Sequence, residues 1–101
     1  MHFLGLDGGG SRTRTILTDR RGRILGEGCS GASNPLTERP EVVRSHLLEA
    51  IQLACEGISP SEISAVHLGI AGVSEPATAE PLRQIARDLL PDDHTRIEIG
   101  N

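Results

Sequence analysis

The chain has 101 residues, which suits one domain or one lobe of a larger protein and allows only a thin hydrophobic core. Fourteen acidic residues stand against ten basic ones, every basic residue being arginine, for a formal charge of −4, so no basic face announces nucleic acid or a membrane surface. Hydrophobic residues make up 37% and Phe3 is the one aromatic, so the core must come from Leu, Ile, Val and Ala, and no run nears the ~20 apolar residues of a membrane span.

Residues 2 to 7 read as a short apolar first strand. Residues 12 to 19 alternate, with Thr13, Thr15 and Leu17 on one face and Arg14, Ile16 and Thr18 on the other, which predicts a second strand. The stretch DRRG (19 to 22) has Asp first and Gly last, as a type I turn prefers, and RILGEGCSG (23 to 31) is a third strand weakened by glycines. Arg20, Arg21 and Arg23 make a solvated hairpin tip. ASNPLTERP (32 to 40) is a loop, because each proline disfavours helix before it.

Val43, Leu47, Ala50, Ile51 and Ala54 then fall on one helical face, and Gly57 closes that helix. SPSE (59 to 62) is a capping box over a short turn. ISAVHLGIAG (63 to 72) is nearly all apolar and predicts a strand covered on both faces. Leu82, Ile85, Ala86, Leu89 and Leu90 define a second helix over 79 to 90, with Pro81 tolerable only in its first turn. TRIEIG (95 to 100) is a last strand. The fold expected is α/β, a mixed five-stranded sheet in the chain order βββαβαβ with helices packed on its faces.

Cys29 and Cys55 lie far apart without a C-x-x-C pattern, and read as reduced, partly buried thiols of a cytoplasmic protein. Met1-His2 lacks the basic region of a signal peptide. His2, His46 and His94 form no constellation, and His67 reads as a strand histidine.

The chemistry concentrates in DGGGSRT, residues 7 to 13. A glycine turn brings backbone N–H groups close to anionic oxygens, because no Cβ blocks the approach. Hydroxyls of Ser11 and Thr13 can add hydrogen bonds, Arg12 can add charge, and a carboxylate at the strand end, Asp7, can hold Mg²⁺ or its water beside a phosphate. A plain glycine-rich hairpin with Asp7 as a turn residue is the alternative. A P-loop is excluded by the absence of lysine. A dinucleotide fingerprint needs a helix after the glycines, where here a strand follows. A literal G-x-G-x-x-G at Gly26, Gly28 and Gly31 precedes ASNP, which cannot start a helix, and has the standing of a chance match.

DGGGSRT, GASNP and LGIAG, in that order, resemble the BadF/BadG/BcrA/BcrD ATPase family, which includes N-acetylglucosamine kinase-like proteins within the acetate and sugar kinase, Hsp70 and actin superfamily. The three motifs span almost the whole chain. The resemblance implies a ribonuclease H-like lobe and an ATP- and Mg²⁺-dependent kinase acting on a small amino sugar, with no nucleic acid or membrane partner and a homodimer left open. It puts Asp7 at the metal–phosphate site and Gly8, Gly9, Gly10, Ser11, Arg12 and Thr13 along the ATP phosphates. It puts Ser33, Asn34, Ala71 and Gly72 at the sugar; some kinases have serine where Ala71 stands. It implies no catalytic residue within the chain, the base being expected just after Asn101, so that residues 1–101 would be an N-terminal lobe cut short of its base and second lobe. An ATPase that activates a radical dehydratase or reductase, and a non-catalytic nucleotide-binding regulator, are the other readings of the same motifs.

Overall fold

The computed structural model describes residues 1–73 and 76–100. Three strands, β1 (His2–Gly8), β2 (Thr13–Asp19) and β3 (Ile24–Ser30), form an antiparallel meander, and α1 (Pro40–Ala54), β4 (Ile63–Ile70), α2 (Pro76–Leu89) and β5 (Arg96–Gly100) follow. The sheet order is β3-β2-β1-β4-β5, with β4 parallel to both β1 and β5. The expected order βββαβαβ and the mixed five-stranded sheet are therefore met.

Alternation decides which side chains are buried. Leu4 and Leu6 of β1, Thr13, Thr15 and Leu17 of β2, Val66, Leu68 and Ile70 of β4, and Ile97 of β5 all point to one face. There they meet Val43, Leu47, Ile51 and Ala54 of α1 and Leu82 and Ala86 of α2 in one core. The two helices lie side by side on that face, joined by an Arg44–Asp88 ion pair at 2.9 Å.

Helices on both faces, and a β4 covered on both sides, were the expectation, and here the structure differs. β4 alternates, with Val66 and Leu68 buried and His67 between them exposed. The reason is topological. β3, β1, β4 and β5 all run in the same direction, and both helical crossovers, β3-α1-β4 and β4-α2-β5, step across the sheet in the same sense. Two right-handed crossovers in one sense place both helices on one face. The opposite face carries Gly5, Asp7, Arg14, His67, Arg96 and Glu98 in the open.

The glycines of β3 explain how closely α1 sits. A Cβ at Gly26 would lie 2.0 Å from the Ala54 carbonyl oxygen, one at Gly28 would lie 2.2 Å from that of Ala50, and one at Gly31 would lie 2.5 Å from the His46 ring. Residues 46, 50 and 54 are successive turns of one helix face. The G-x-G-x-x-G spacing is thus a seat for a helix and not a chance match.

Smaller departures have local causes. α2 begins at residue 76 and not 79, so Pro81 stands inside the helix beyond its first turn, where it forgoes the hydrogen bond to the residue four before it. Cys29 is exposed and not partly buried; Cys55 is half-buried, and burial pushes its thiol pKa up. The hairpin 19–23 is solvated as expected but ordered by Asp19. Its carboxylate accepts from Arg23 Nε at 2.9 Å and from the Arg23 and Arg21 amides, and the Arg23 side chain foremost holds the Asp19 pKa below its ordinary value. The Ser59/Glu62 capping box is present. No helix among the described residues is long and apolar enough to cross a membrane.

Candidate functional site

The chain direction of each strand gathers the motifs. The carboxyl ends of β1, β3 and β4 and the amino end of β2 lie at one end of the sheet. The segments 9–12, 31–39 and 71–73 therefore leave that end, and they carry the three motifs. Ligands of open α/β sheets bind outside the carboxyl ends of the strands, which is the end where these loops gather.

Hydrogen bonds bolt the loops together. The Gly9 amide donates to the Arg12 carbonyl at 3.0 Å and closes the glycine turn. The Gly9 carbonyl in turn accepts from the Ser33 amide at 3.0 Å, and the Gly8 carbonyl accepts from the Ala71 amide at 2.9 Å. Gly72, at φ +87°, passes so close to Asn34 that a Cβ there would lie 2.7 Å from Asn34 Oδ1. All three motifs thus converge on the two residues that follow Asp7.

The candidate residues divide into two sets by exposure. Asp7, Gly10, Ser11, Arg12 and Ala71 are exposed at the open end, and Gly9 and Gly72 are half-exposed. Gly8, Thr13 and Ser33 face the core instead. Thr13 is 0% exposed, and its hydroxyl lies 2.8 Å from the Gly31 carbonyl, to which it donates, and 2.7 Å from Ser33 Oγ, from which it can accept. Ser33 is likewise 0% exposed, and a Cβ at Gly8 would fall 2.1 Å from its hydroxyl. The side chains of Thr13 and Ser33, expected on phosphate and sugar, are engaged in this buried clasp. The sequence held the signal: Thr13 shares the face of Leu17, and Leu17 is core.

Asn34 is half-buried at the mouth of the loop. Its Oδ1 accepts from the Leu36 amide at 2.8 Å, and its carbonyl accepts from the Thr37 and Glu38 amides. The oxygen is committed to the turn, and the side-chain NH₂ is what Asn34 has to offer a ligand. His46, which sequence reasoning passed over, holds this loop: its Nδ1 donates to the Ala32 carbonyl.

Asp7 pairs in register with Arg14 of β2 and Gly69 of β4 on the open face. Among the described residues no group of three His, Cys, Asp or Glu is placed to hold a metal. A lone carboxylate beside a glycine turn still fits Mg²⁺, which takes one or two carboxylates and completes its shell with water and substrate phosphates. Asn101, which the base was expected to follow, lies outside the described residues.

Comparison with known proteins agrees with the geometry. The chain is 33% identical over 72 residues to the glucosamine kinase GspK of Vibrio cholerae, an alignment covering 69% of this chain and 24% of that protein. A crystal structure provisionally assigned as an N-acetylglucosamine kinase of Porphyromonas gingivalis superposes with a TM-score of 0.78 at 26% identity, covering 97% of this chain and 34% of that one. A second such structure, from Chromobacterium violaceum, gives 0.59 at 27% identity, covering 99% and 34%. The chain thus spans about a quarter to a third of the length of these relatives. The profile of the BadF/BadG/BcrA/BcrD ATPase family matches residues 4–96, and the chain belongs to that family.

Proposed function

We propose that this chain is the N-terminal lobe of a longer ATP-dependent kinase that phosphorylates a small amino sugar of the glucosamine or N-acetylglucosamine type. The observation that carries the reading is the convergence of the glycine turn, the Asn34 loop and the Ala71–Gly72 turn on the Gly8–Gly9 backbone. One end of the sheet then offers phosphate contacts and acceptor contacts side by side. The names of the relatives, a glucosamine kinase and two provisionally assigned N-acetylglucosamine kinases, support the substrate class.

In this reading the amides of Gly9, Gly10 and Ser11, the Ser11 hydroxyl and the Arg12 guanidinium receive phosphate oxygens. Asp7 holds Mg²⁺ or one of its waters, and the ion, when bound, neutralises charge on the phosphates. The Asn34 amide orients the sugar. The sugar hydroxyl oxygen bonds to the γ-phosphorus as the bond to the ADP oxygen breaks, and a base supplied from beyond Asn101 takes the hydroxyl proton. A soluble cytoplasmic setting, where ATP is available, fits such an enzyme. The activator reading draws nothing from Cys29 and Cys55. Cys29 is the penultimate residue of β3, toward the motif end, and Cys55 follows the far end of α1.

The test is ADP release from ATP by the full-length polypeptide in the presence of glucosamine or N-acetylglucosamine, with Asp7→Asn alongside. Sugar-dependent release by the wild type and a fall of at least tenfold in kcat for Asp7→Asn, with an unchanged melting temperature, are expected. Wild-type kcat and Mg²⁺ dependence in Asp7→Asn would make Asp7 a turn residue.

A further inference from the structure

We propose that His46, on α1, is a positioning residue for the sugar-facing stretch that ends at Asn34. The proposal rests on the reading of that stretch as part of the sugar site.

Three successive residues leaving β3 touch His46. The Ser30 hydroxyl donates to the His46 backbone carbonyl. The imidazole lies flat against Gly31, where a Cβ would come within 2.5, 2.7 and 2.9 Å of three ring atoms. Its Nδ1 meets the Ala32 carbonyl oxygen, which can only accept, so Nδ1 carries the proton. Ala32 has left the sheet ladder and is buried, so its carbonyl needs a partner within the protein. His46 supplies it.

The stretch is pinned from the other side by the glycine turn, through Ser33 amide to Gly9 carbonyl and Thr13 hydroxyl to Gly31 carbonyl. Residues 31–33 are thus held between the phosphate turn and α1, and Asn34 is the first residue beyond the last anchor. At the same seat on β3, α1 presents the backbone of Ala50 and Ala54 and the Cβ of Leu53 to Gly28 and Gly26, with no side-chain donor. Packing alone would be served by an apolar side chain at position 46. The histidine adds a directed donor at the one point where the seat meets the loop. An acceptor hydroxyl must be held to within a fraction of an ångström for in-line transfer, so slack in this loop falls on the sugar and not on ATP.

The experiment compares His46→Leu, His46→Asn and Gly31→Ala with wild type in the full-length protein. Leucine keeps bulk and removes the donor. Asparagine returns an N–H close to the position of Nδ1. Alanine at 31 pushes the ring away while His46 itself is kept. Both KM values are measured, together with hydrogen exchange of the amides in 31–36. His46→Leu and Gly31→Ala are expected to raise the sugar KM about tenfold, with the ATP KM within twofold and loop exchange at least tenfold faster. His46→Asn should recover most of both effects. Unchanged loop exchange in His46→Leu overturns the proposal, as does an equal rise in both KM values or a His46→Asn variant as impaired as His46→Leu. A failure of the kinase reading shows separately, in a wild-type protein that phosphorylates no amino sugar.

Discussion

Thr13 and Thr15 stand two residues apart on the same face of β2, buried at 0% and 1% exposure, and their hydroxyls fare oppositely. Thr13 is hydrogen-bonded to Gly31 and Ser33, while Thr15 Oγ1 has no hydrogen-bond partner among the described residues. A buried hydroxyl left unpaired costs ~1–3 kcal/mol, whereas replacing it by an apolar group of the same shape removes that cost. Thr15→Val should therefore raise the unfolding free energy by about 1 kcal/mol, and Thr13→Val, which orphans its partners, should lower it by ~1–3 kcal/mol. Urea unfolding of the two variants decides it; equal effects of one sign would mean that the clasp contributes nothing. Asn34 invites the same dissection. Its Oδ1 belongs to the turn, and in the proposed reading its NH₂ is the group that meets the sugar. Asn34→Asp keeps the oxygen and loses the donor, so the sugar KM should rise at least tenfold with the melting temperature and ATP KM nearly unchanged. Asn34→Ala loses both and should show the KM effect together with a lower melting temperature. If Asn34→Asp leaves the sugar KM alone, Asn34 is a turn residue only.

Among the elements, the seat of α1 on β3 yields the sharpest sign. By propensity alone Gly→Ala in a strand gains ~0.5–1 kcal/mol. At Gly26 and Gly28 the added methyl would meet the backbone carbonyls of Ala54 and Ala50 at 2.0 and 2.2 Å, and a helix backbone cannot step aside as a side chain can. Overpacking of that kind costs ~1–3 kcal/mol. Gly26→Ala and Gly28→Ala are thus expected to destabilise by that amount, while Gly5→Ala, which meets nothing within 4 Å, should not. Chemical denaturation of the three variants tests it, and a stabilised Gly26→Ala would show that α1 is free to shift. The same seat marks what a sequence can and cannot disclose. Each strand and helix announced itself through alternation, helical spacing or punctuation, because those signals are local. Their order then followed, and with it the collection of the motif loops at one end. The meaning of Gly26, Gly28 and Gly31 needed knowledge of which element packs on β3, which no local pattern holds. The covering of β4 failed similarly: an apolar run reports hydrophobicity, while the sense of two crossovers decides which face is covered. In the site, the motif letters located Asp7 and the glycine turn, but letters alone do not say which way a strand points a side chain. Thr13 went inward by strand parity, Ser33 is buried in the loop beyond β3, and His46 entered from an element that carries no motif.

In the proposed reading the sheet as a whole supplies at one end the contacts for a phosphate chain and for an acceptor, and its remaining needs as a catalyst can be estimated. Phosphoryl transfer is mostly positioning and charge stabilisation, and a general base adds typically ~10²–10⁴-fold. Holding both reactants in line, shielded from water, adds more. The face bearing Asp7, Arg14 and His67 is open, and the chain spans 24% of the Vibrio kinase and 34% of the two solved relatives, so the base and the closing surface are proposed to come from the remainder of a longer polypeptide. The 101-residue chain alone should then fold, because its core joins β1, β2, β4, β5 and both helices while β3 seats α1 through Gly26 and Gly28, and should still fail as a kinase. With ATP, Mg²⁺ and either amino sugar, its ADP release should fall at least ~10⁴-fold below that of the full-length protein, which in practice is background. A cooperative thermal transition by circular dichroism must accompany the assay, so that inactivity is not mistaken for unfolding. ADP release by the folded chain within tenfold of the full-length rate would sink the assignment of the base beyond Asn101 and return the search for it to residues 1–100.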